Sequence, residues 1–144
     1  MKKIIVATIA FFLSFTTVLA QNADAVKGTW MSENNDAKIE IYKTADKYAG
    51  KIVWTKDMYE ADGKTLKKDN KNTNENLRNR TIVNLVILTG FTYDDGEWTD
   101  GEIYDPKNGK TYKSKMKIKG STLEVRGYVG SPMFGKTTVW TRVS

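Results

Sequence analysis

The stretch Tyr112-Lys-Ser-Lys-Met-Lys-Ile-Lys119 decides the fold class of this chain. In an extended conformation Tyr112, Ser114, Met116 and Ile118 share one face, and the four lysines that alternate with them share the other. A helix would instead scatter those lysines around its circumference. The stretch therefore predicts a β-strand with one face on a core and the other in water.

The same period of two recurs on both sides of this strand. Apolar and polar residues alternate in 37–42, 48–54, 123–129 and 137–143. Within the second of these segments, the alternation predicts one shared face for Tyr48, Gly50, Ile52 and Trp54. Residues 83–93 are apolar on both faces, which predicts either the most buried strand or a strand entered through a bend.

Turn-forming sequences separate these segments. Clusters of Gly, Asp, Asn, Ser and Pro lie at 94–96, 105–109, 119–121 and 130–132. Their regular spacing favours a meander of antiparallel hairpins, and closing a meander into a barrel removes its two exposed edges. The sequence therefore predicts an all-β fold: a single antiparallel up-and-down barrel of about eight strands that forms one domain over residues 21–144.

One segment, residues 56–79, breaks the alternation. It is polar and rich in Lys, Asp and Asn, and loops of this length inside a compact domain are usually functional or mobile. Asn74 is a suitable cap for the Glu-Asn-Leu-Arg78 that follows it, so the segment is predicted to contain a short helix.

The first twenty residues predict a secretory signal peptide. Lys2 and Lys3 precede an apolar run over 4–15, and Val18-x-Ala20 places small side chains where a signal peptidase reads them. Cleavage is expected between Ala20 and Gln21, which would place the protein in the periplasm or outside the cell. The run is shorter than the roughly 20 residues of a spanning helix, so no transmembrane segment is expected in the mature chain.

The amino acids that the sequence lacks narrow the function. It contains neither cysteine nor histidine, which excludes disulfides, thiolate nucleophiles, serine–histidine triads and histidine-ligated zinc or haem. Catalysis would have to use carboxylates, tyrosine, lysine or arginine. The acidic residues over 94–105 match no calcium-loop spacing, and no metal, cofactor or catalytic residue is predicted. The formal charge of +6 includes the two leader lysines, so the mature chain would carry +4. A modest positive charge on an exported protein suits binding to an anionic envelope component better than binding to nucleic acid.

Two short motifs predict how the barrel closes. Gly28-Thr-Trp30 opens the first strand and Trp140-Thr-Arg142 ends the last, and a closed meander makes these strands neighbours. The Arg142 guanidinium can then lie flat on the Trp30 indole, a contact of about 1–2 kcal/mol when desolvated. This pairing resembles the lipocalin and calycin signature, in which the role of the motif is structural.

A second resemblance covers nearly the whole mature chain. It rests on ordered motifs that run from the first predicted strand to the last: Gly28-x-Trp30, Ile39-x-Ile41-Tyr42, Gly50-Lys-Ile-Val-Trp54, Asp69 with Asn72, Leu77-Arg-x-Arg80, Ile87-Leu-x-Gly-Phe91, Trp98-x-x-Gly101-x-Ile-Tyr-Asp-Pro106, Gly109-Lys-Thr-Tyr112, Val125-Arg-Gly-Tyr-Val-Gly130, Gly135 and Trp140-Thr-Arg142. Together they resemble a bacterial exported family, domain of unknown function 2147, whose members are small and lipocalin-like. The pattern departs at 81–84, where the resemblance implies a proline and a glycine. It implies no established activity.

The candidate ligand site combines aromatic walls with a few polar groups, as small-molecule pockets do. Its predicted members are Trp54, Arg80, Tyr104, Tyr112, Arg126 and Tyr128. An arginine turned into a barrel needs a carboxylate, which either the chain or an anionic ligand can supply. If the chain supplies it, the arginine has a structural role.

The sequence leaves three functions open. The leading hypothesis is a barrel that binds a small amphipathic or anionic ligand in the cell envelope. The first alternative is an envelope interaction or structural module with a filled barrel, which would use the 56–79 loop and the lysine face. The second is a carboxylate-based enzyme acting on a sugar or lipid. A cavity favours the first, a solid core the second, and two inward carboxyl groups with separated pKa values the third.

Overall fold

Eight antiparallel strands form a closed barrel in the computed structural model, which describes residues 22–144. The predicted signal peptide lies outside the described residues. The strands are β1 (Gly28–Met31), β2 (Ala37–Thr44), β3 (Lys47–Thr55), β4 (Val86–Asp94), β5 (Glu97–Asp105), β6 (Lys110–Lys119), β7 (Thr122–Tyr128) and β8 (Gly135–Arg142). Each strand pairs with the next, and β8 returns to β1 with Trp30 opposite Arg142. The predicted up-and-down barrel of eight strands is confirmed.

Strand β6 has the alternation that its sequence predicts. Ser114 and Met116 are buried and pair with Gly127 and Val125 of β7, whereas the intervening lysines are exposed or half-buried on the outer surface. The four hairpin turns predicted from Gly, Asp, Asn and Pro also lie between strands.

A bulge explains why the segment before and within β4 is apolar on both faces. Lys51 pairs with Val86 and Gly50 pairs with Leu88, so β4 has one extra residue there. Ile87 and Leu88 are consequently both buried. The chain enters this strand through a bend at Asn84, which has φ +70°, a left-handed conformation that asparagine tolerates better than most residues. The bend lies in the 81–84 segment, where the resemblance noted above implies a proline and a glycine.

A second bulge moves Trp54 off the inner face of β3. Ile39 pairs with Ile52, but the adjacent Lys38 pairs with Trp54. Trp54 therefore lies on the outer surface, with the Lys38 ammonium 5.3 Å from the centre of its ring. The prediction that Trp54 shares a face with Ile52 is wrong, because one extra residue reverses the phase of a strand.

One end of the barrel is filled. A short 3-10 helix, Ala23–Val26, covers it. The indoles of Trp30 and Trp98 donate hydrogen bonds to carbonyl oxygens of this helix at 2.9 and 3.0 Å, and the Tyr48 hydroxyl donates to its Asp24 at 2.5 Å. All three rings are buried. The barrel core is therefore concentrated at this closed end. Among residues 22–144, no helix has the length and apolarity needed to cross a membrane.

The long connection between β3 and β4 leaves from the opposite end. It contains a second 3-10 helix, Glu75–Leu77, and the Asn74 side chain accepts a hydrogen bond from the Asn76 amide at 3.0 Å. The predicted short helix with its Asn74 cap is confirmed. Residues Lys68 and Thr81 form an isolated antiparallel bridge within this connection.

Candidate functional site

The barrel contains a cavity of about 830 Å³ at the end opposite the Ala23–Val26 helix. Its mouth lies among the β1–β2, β5–β6 and β7–β8 connections. Apolar side chains from six strands form much of its wall: Ile39, Ile52, Ile87, Ile103, Val125 and Trp140. We call this cavity the calyx. The deepest wall residues also belong to the hydrophobic core: Ile39, Val125 and Ile52 are 1%, 2% and 3% exposed. The open space of the calyx therefore lies mainly between the connections at its mouth and the less buried Ile103, Tyr112 and Tyr128.

An ion pair spans part of the rim of the calyx. The Lys107 ammonium, on the β5–β6 connection, lies 2.6 Å from Oδ2 of Asp36, on the β1–β2 connection. The Ser32 hydroxyl donates to the other Asp36 oxygen at 2.7 Å. Lys107 and then Ser32 hold the pKa of the Asp36 carboxyl below its usual value. This rim carboxylate is therefore ionised and already partnered at neutral pH.

Lys136 is a second basic group at the rim. It pairs with Gly127, and two residues further along β8 Thr138 pairs with Val125. Lys136, Thr138 and Trp140 all line the calyx. Within residues 22–144, the exposed Lys136 ammonium has no ion pair and no side-chain hydrogen bond. Sequence reasoning missed this residue, although counting back by two from Trp140 would have placed it on the inner face.

Arg126 has a different role from the predicted one. It lies on the outer face of β7, where its guanidinium donates to the carbonyl oxygens of Pro132 at 2.6 Å and Met133 at 3.4 Å and to the Thr137 hydroxyl at 2.9 Å. It is not among the residues that line the calyx. Arg126 therefore positions the β7–β8 connection.

Arg80 belongs to a cluster outside the barrel that surrounds one buried carboxylate. Its Nη2 lies 3.3 Å from Oδ2 of Asp69, a residue with no exposed surface. The Tyr104 hydroxyl donates to Oδ1 of Asp69 at 2.6 Å, and the Asn72 amide donates to Oδ2 at 2.9 Å. Burial, followed by the hydrogen bond to Asp69, raises the pKa of Tyr104 to about 12. The chain thus supplies the carboxylate partner of Arg80, and the cluster ties the β3–β4 connection to β5.

The structure divides the six predicted site residues among three places. Tyr104, Tyr112 and Tyr128 border the calyx. Arg80 borders an outer groove of about 650 Å³ between the β3–β4 connection and the barrel, which also includes Tyr104 and Tyr112. Trp54 and Arg126 border neither the calyx nor this groove.

The predicted closure residues lie along the seam between β1 and β8. The Arg142 guanidinium is 4.1 Å from the centre of the Trp30 ring. Gly28 has φ +126°, and a Cβ there would lie 2.3 Å from the Ser144 carbonyl oxygen. Trp140 lies nearer the other end, where it forms part of the calyx wall and its indole donates to the Thr138 hydroxyl at 3.1 Å. In the part of the chain that the structure describes, no group of three or more acidic side chains could hold a metal ion.

Comparison with known proteins agrees with this architecture. No curated protein matches the chain. A solved structure that is similar to it is that of protein HP1028 from Helicobacter pylori, described as belonging to the lipocalin family. The two share 24% identity over 82% of each chain, with a TM-score of 0.70, so the likeness shows the lipocalin fold. The model of DUF2147, described as an uncharacterized protein conserved in bacteria, matches residues 28–142; the chain therefore belongs to the DUF2147 family.

Proposed function

We propose that this protein binds a small amphipathic molecule, with the apolar part of the ligand inside the calyx and its polar or anionic head at the rim. The observation that carries the proposal is the open cavity of about 830 Å³, which has an aliphatic floor and is bordered by Lys136, a lysine without an ion pair among residues 22–144. Ligand pockets typically measure about 300–1,000 Å³, and an eight-stranded barrel has room for one small ligand.

The wall of the calyx favours a hydrocarbon. Ile39, Ile52, Ile87 and Ile103 present branched aliphatic groups without polar atoms. Each CH₂ group that a ligand transfers from water to this wall contributes about 0.8 kcal/mol to binding. An acyl chain or another flexible apolar group therefore suits the aliphatic floor of the cavity.

The rim favours a negatively charged head. The rim carries three carboxylates, and each has a partner: Asp36 pairs with Lys107, and Glu33 and Asp105 accept hydrogen bonds from the Val139 and Lys107 amides at 3.0 and 2.9 Å. The Lys136 ammonium has no ion pair among residues 22–144, so it is the rim group that can meet an anion. Because Lys136 is exposed, its attraction for a carboxylate should contribute no more than about 1 kcal/mol. The Tyr112 hydroxyl, which accepts a hydrogen bond from the Asn108 amide at 2.9 Å, can donate its own proton to the same head group.

The predicted signal peptide indicates where in the cell the ligand would be bound. A cut between Ala20 and Gln21 would release the barrel into the periplasm or the medium. There an amphipathic molecule of the envelope is the available kind of ligand. The mass of the protein isolated from its host tests this part: a mature chain starting at Gln21 supports export with cleavage, and an uncleaved cytoplasmic chain contradicts it.

Titration with cis-parinaric acid, a fatty acid that fluoresces in apolar surroundings, tests ligand binding. We expect saturable binding with a stoichiometry near one. The Gly127→Leu variant should lower the affinity by about tenfold or more, because its side chain fills the calyx. A Cβ at Gly127 would lie 3.5 Å from Ile103, an ordinary contact, so the barrel should still fold. The Gly127→Ala variant is the matched control.

The methyl ester of the same fatty acid separates the head from the tail. Lys136→Gln should weaken the acid by about two- to fivefold and leave the ester within about twofold of wild type. Equal effects on acid and ester would contradict the anionic head. Absence of saturable binding to either compound would contradict the calyx as a binding site.

The two alternative functions have weaker support. The outer groove beside Arg80 favours an envelope interaction module, and absence of probe uptake would make that candidate the stronger one. A carboxylate-based enzyme would need a rim carboxyl whose pKa is raised so that it can act as a general acid. The pKa of the rim residue Asp36 is instead lowered.

A further inference from the structure

The β7–β8 connection exposes more apolar surface than its neighbours. Val129, Met133 and Phe134 are 69%, 79% and 71% exposed, whereas the other exposed large hydrophobic residues among 22–144 range from 38% to 47%. We call residues 129–134 the rim loop, because Val129 and Phe134 also border the mouth of the calyx. Three apolar side chains therefore stand in water around one side of the cavity entrance.

Hydrogen bonds hold the rim loop in this conformation. The Val129 amide donates to the Phe134 carbonyl oxygen at 3.3 Å, and the Phe134 amide donates to the Ser131 carbonyl oxygen at 2.9 Å. Arg126 binds the carbonyl oxygens of Pro132 and Met133 from below. With its backbone held, the loop presents its apolar side chains outward instead of folding them onto the barrel. Apolar side chains held outward in this way are suited to insertion into the apolar part of a membrane interface.

The surface behind the rim loop is basic. From Val125 to Val139 the chain contains Arg126 and Lys136 and no Asp or Glu. On the adjacent strand, Lys113 stands opposite Tyr128 and Lys115 stands opposite Arg126. Three carboxylates lie nearby. Glu102 of β5 pairs with Lys113 of β6, and Glu33 accepts a hydrogen bond from the Val139 amide at 3.0 Å. Glu124, which borders the same groove as Lys115 and Arg126, forms an ion pair with Lys119 at 3.2 Å. Cations outnumber anions around the tip.

We propose that the rim loop docks on an anionic lipid bilayer, with Met133 and Phe134 inserted at the headgroup level and Lys113 and Lys115 facing lipid phosphates. Apolar side chains at the tip of a basic surface are the combination that interfacial membrane binding requires. Docking in this orientation places the mouth of the calyx against the membrane. Docking needs no ligand in the calyx. The docking proposal therefore goes beyond the proposed function and is tested independently of it.

Vesicle co-sedimentation tests the docking. The protein is purified after export from its host, so that a predicted leader would have been removed by the cell. We expect binding to vesicles of equal parts phosphatidylglycerol and phosphatidylcholine, weaker binding to phosphatidylcholine alone, and a loss of binding as salt rises. Equal binding to both vesicles, or binding to neither, would overturn the proposal.

Matched substitutions locate the docking surface. Met133→Ser/Phe134→Ser should reduce binding to the anionic vesicles by about tenfold or more. Val143→Ser, which removes a 47% exposed valine beyond the end of β8 at the closed end of the barrel, should leave it within about twofold. Circular dichroism checks that each variant is folded. If Met133→Ser/Phe134→Ser binds vesicles as well as wild type, the rim loop is not the docking tip.

A second pair of variants tests the charge. Lys113→Gln/Lys115→Gln should weaken binding to the anionic vesicles by about fivefold or more. Lys43→Gln/Lys47→Gln makes the same charge change at the closed end of the barrel and should have less than half of that effect on a logarithmic scale. Equal effects would mean that net charge, not this surface, attracts the vesicles.

Two further measurements separate this proposal from its competitors. Gly127→Leu should lose fatty-acid uptake and keep vesicle binding. If vesicle binding fails while uptake is intact, only the docking proposal fails; if uptake fails while vesicle binding is intact, only the calyx proposal fails.

Sedimentation velocity without vesicles examines self-association. If the wild-type protein is a dimer and Met133→Ser/Phe134→Ser dissociates it, the rim loop binds a second copy of this chain. That result would overturn membrane docking.

Discussion

The guanidinium of Arg142 lies 4.1 Å from the centre of the Trp30 indole, so a side-chain contact supplements the backbone pairing that joins the last strand to the first. The same guanidinium donates to the carbonyl oxygens of Ala25 at 2.6 Å and Lys27 at 3.0 Å. Arg142 therefore fastens both the barrel seam and the short helix that covers the closed end. Arg142, at the end of the last strand, thus holds the Ala23–Val26 helix that precedes the first strand.

Replacing Arg142 should destabilise the barrel. We expect Arg142→Ala to lower the free energy of unfolding by about 1–3 kcal/mol, because the ring contact and two hydrogen bonds are lost. Arg142→Lys should cost about half as much, since the charge remains but an ammonium cannot reproduce the planar fork. Urea unfolding followed by circular dichroism measures both. Lys136→Gln is the control and should stay within about 0.5 kcal/mol of wild type. An Arg142→Ala midpoint equal to that of wild type would contradict the prediction.

The alternation of residues was sufficient to predict the barrel and its closure. Period-two segments and turn residues specify strands, hairpins and an inner face. Together with the motifs Gly28-Thr-Trp30 and Trp140-Thr-Arg142, they predict that Trp30 lies beside Arg142. A β-bulge limits such predictions, because one extra residue moves every later side chain of the strand to the opposite face. For that reason Trp54, predicted for the inner face, lies outside with Lys38.

The candidate site was less predictable than the fold. Tyr104, Tyr112 and Tyr128 border the calyx, but Asp69 reaches Tyr104 across 35 positions of sequence, and no local pattern encodes such a tertiary contact. Arg126 is a different case. It follows the buried Val125, so the alternation already indicates that its side chain points outward. The prediction that Arg126 binds a ligand inside the barrel disregarded this pattern.

The contact between the β3–β4 connection and the barrel depends on Gly109. It has φ +74°, and a Cβ there would lie 1.8 Å from the Lys71 carbonyl oxygen. Gly63 has a similar φ of +68° but open space around it. Both alanine variants should lose about 1 kcal/mol from the left-handed backbone. Gly109→Ala should lose at least about 1 kcal/mol more, because the connection must move away.

Urea unfolding and limited proteolysis compare these two glycine variants. Gly109→Ala should expose the 56–85 segment to protease sooner than either wild type or Gly63→Ala, because its tether to the barrel is disturbed. Equal stability and equal cleavage rates for the two variants would show that the close approach of Gly109 to Lys71 does not hold the connection in place.

Two tyrosines, the buried Tyr48 and the half-buried Tyr104, predict how stability depends on alkaline pH. Burial, followed by the hydrogen bond to Asp24, raises the pKa of Tyr48 to about 12, and burial followed by Asp69 does the same for Tyr104. The folded protein therefore keeps protons that the unfolded chain, with tyrosine pKa values near 10, gives up first. Between about pH 10 and pH 12 the folded state binds more protons, so the free energy of unfolding must fall as pH rises.

The Tyr104→Phe variant tests this assignment. Its unfolding free energy should decline less steeply than that of wild type between about pH 10 and pH 12, because one of the two linked protons is gone. The Tyr59→Phe variant, which changes an exposed tyrosine, should keep the wild-type slope. Urea unfolding at several alkaline pH values gives the slopes. A Tyr104→Phe slope that matches wild type would mean that the Tyr104 proton is not linked to folding.

Contact quenching of tryptophan fluorescence can locate a bound ligand, because the four tryptophans occupy different environments. Trp140 forms part of the calyx wall, Trp30 and Trp98 are buried in the closed end, and Trp54 lies on the outer surface. A fatty acid brominated along its chain quenches only indoles that it touches. If the chain enters the calyx, Trp140→Phe should remove most of the quenching that accompanies binding, whereas Trp54→Phe should keep it. Both changes retain an aromatic ring, which limits the loss of packing. Quenching that persists in Trp140→Phe and disappears in Trp54→Phe would place the ligand on the outside of the barrel, beside Lys38.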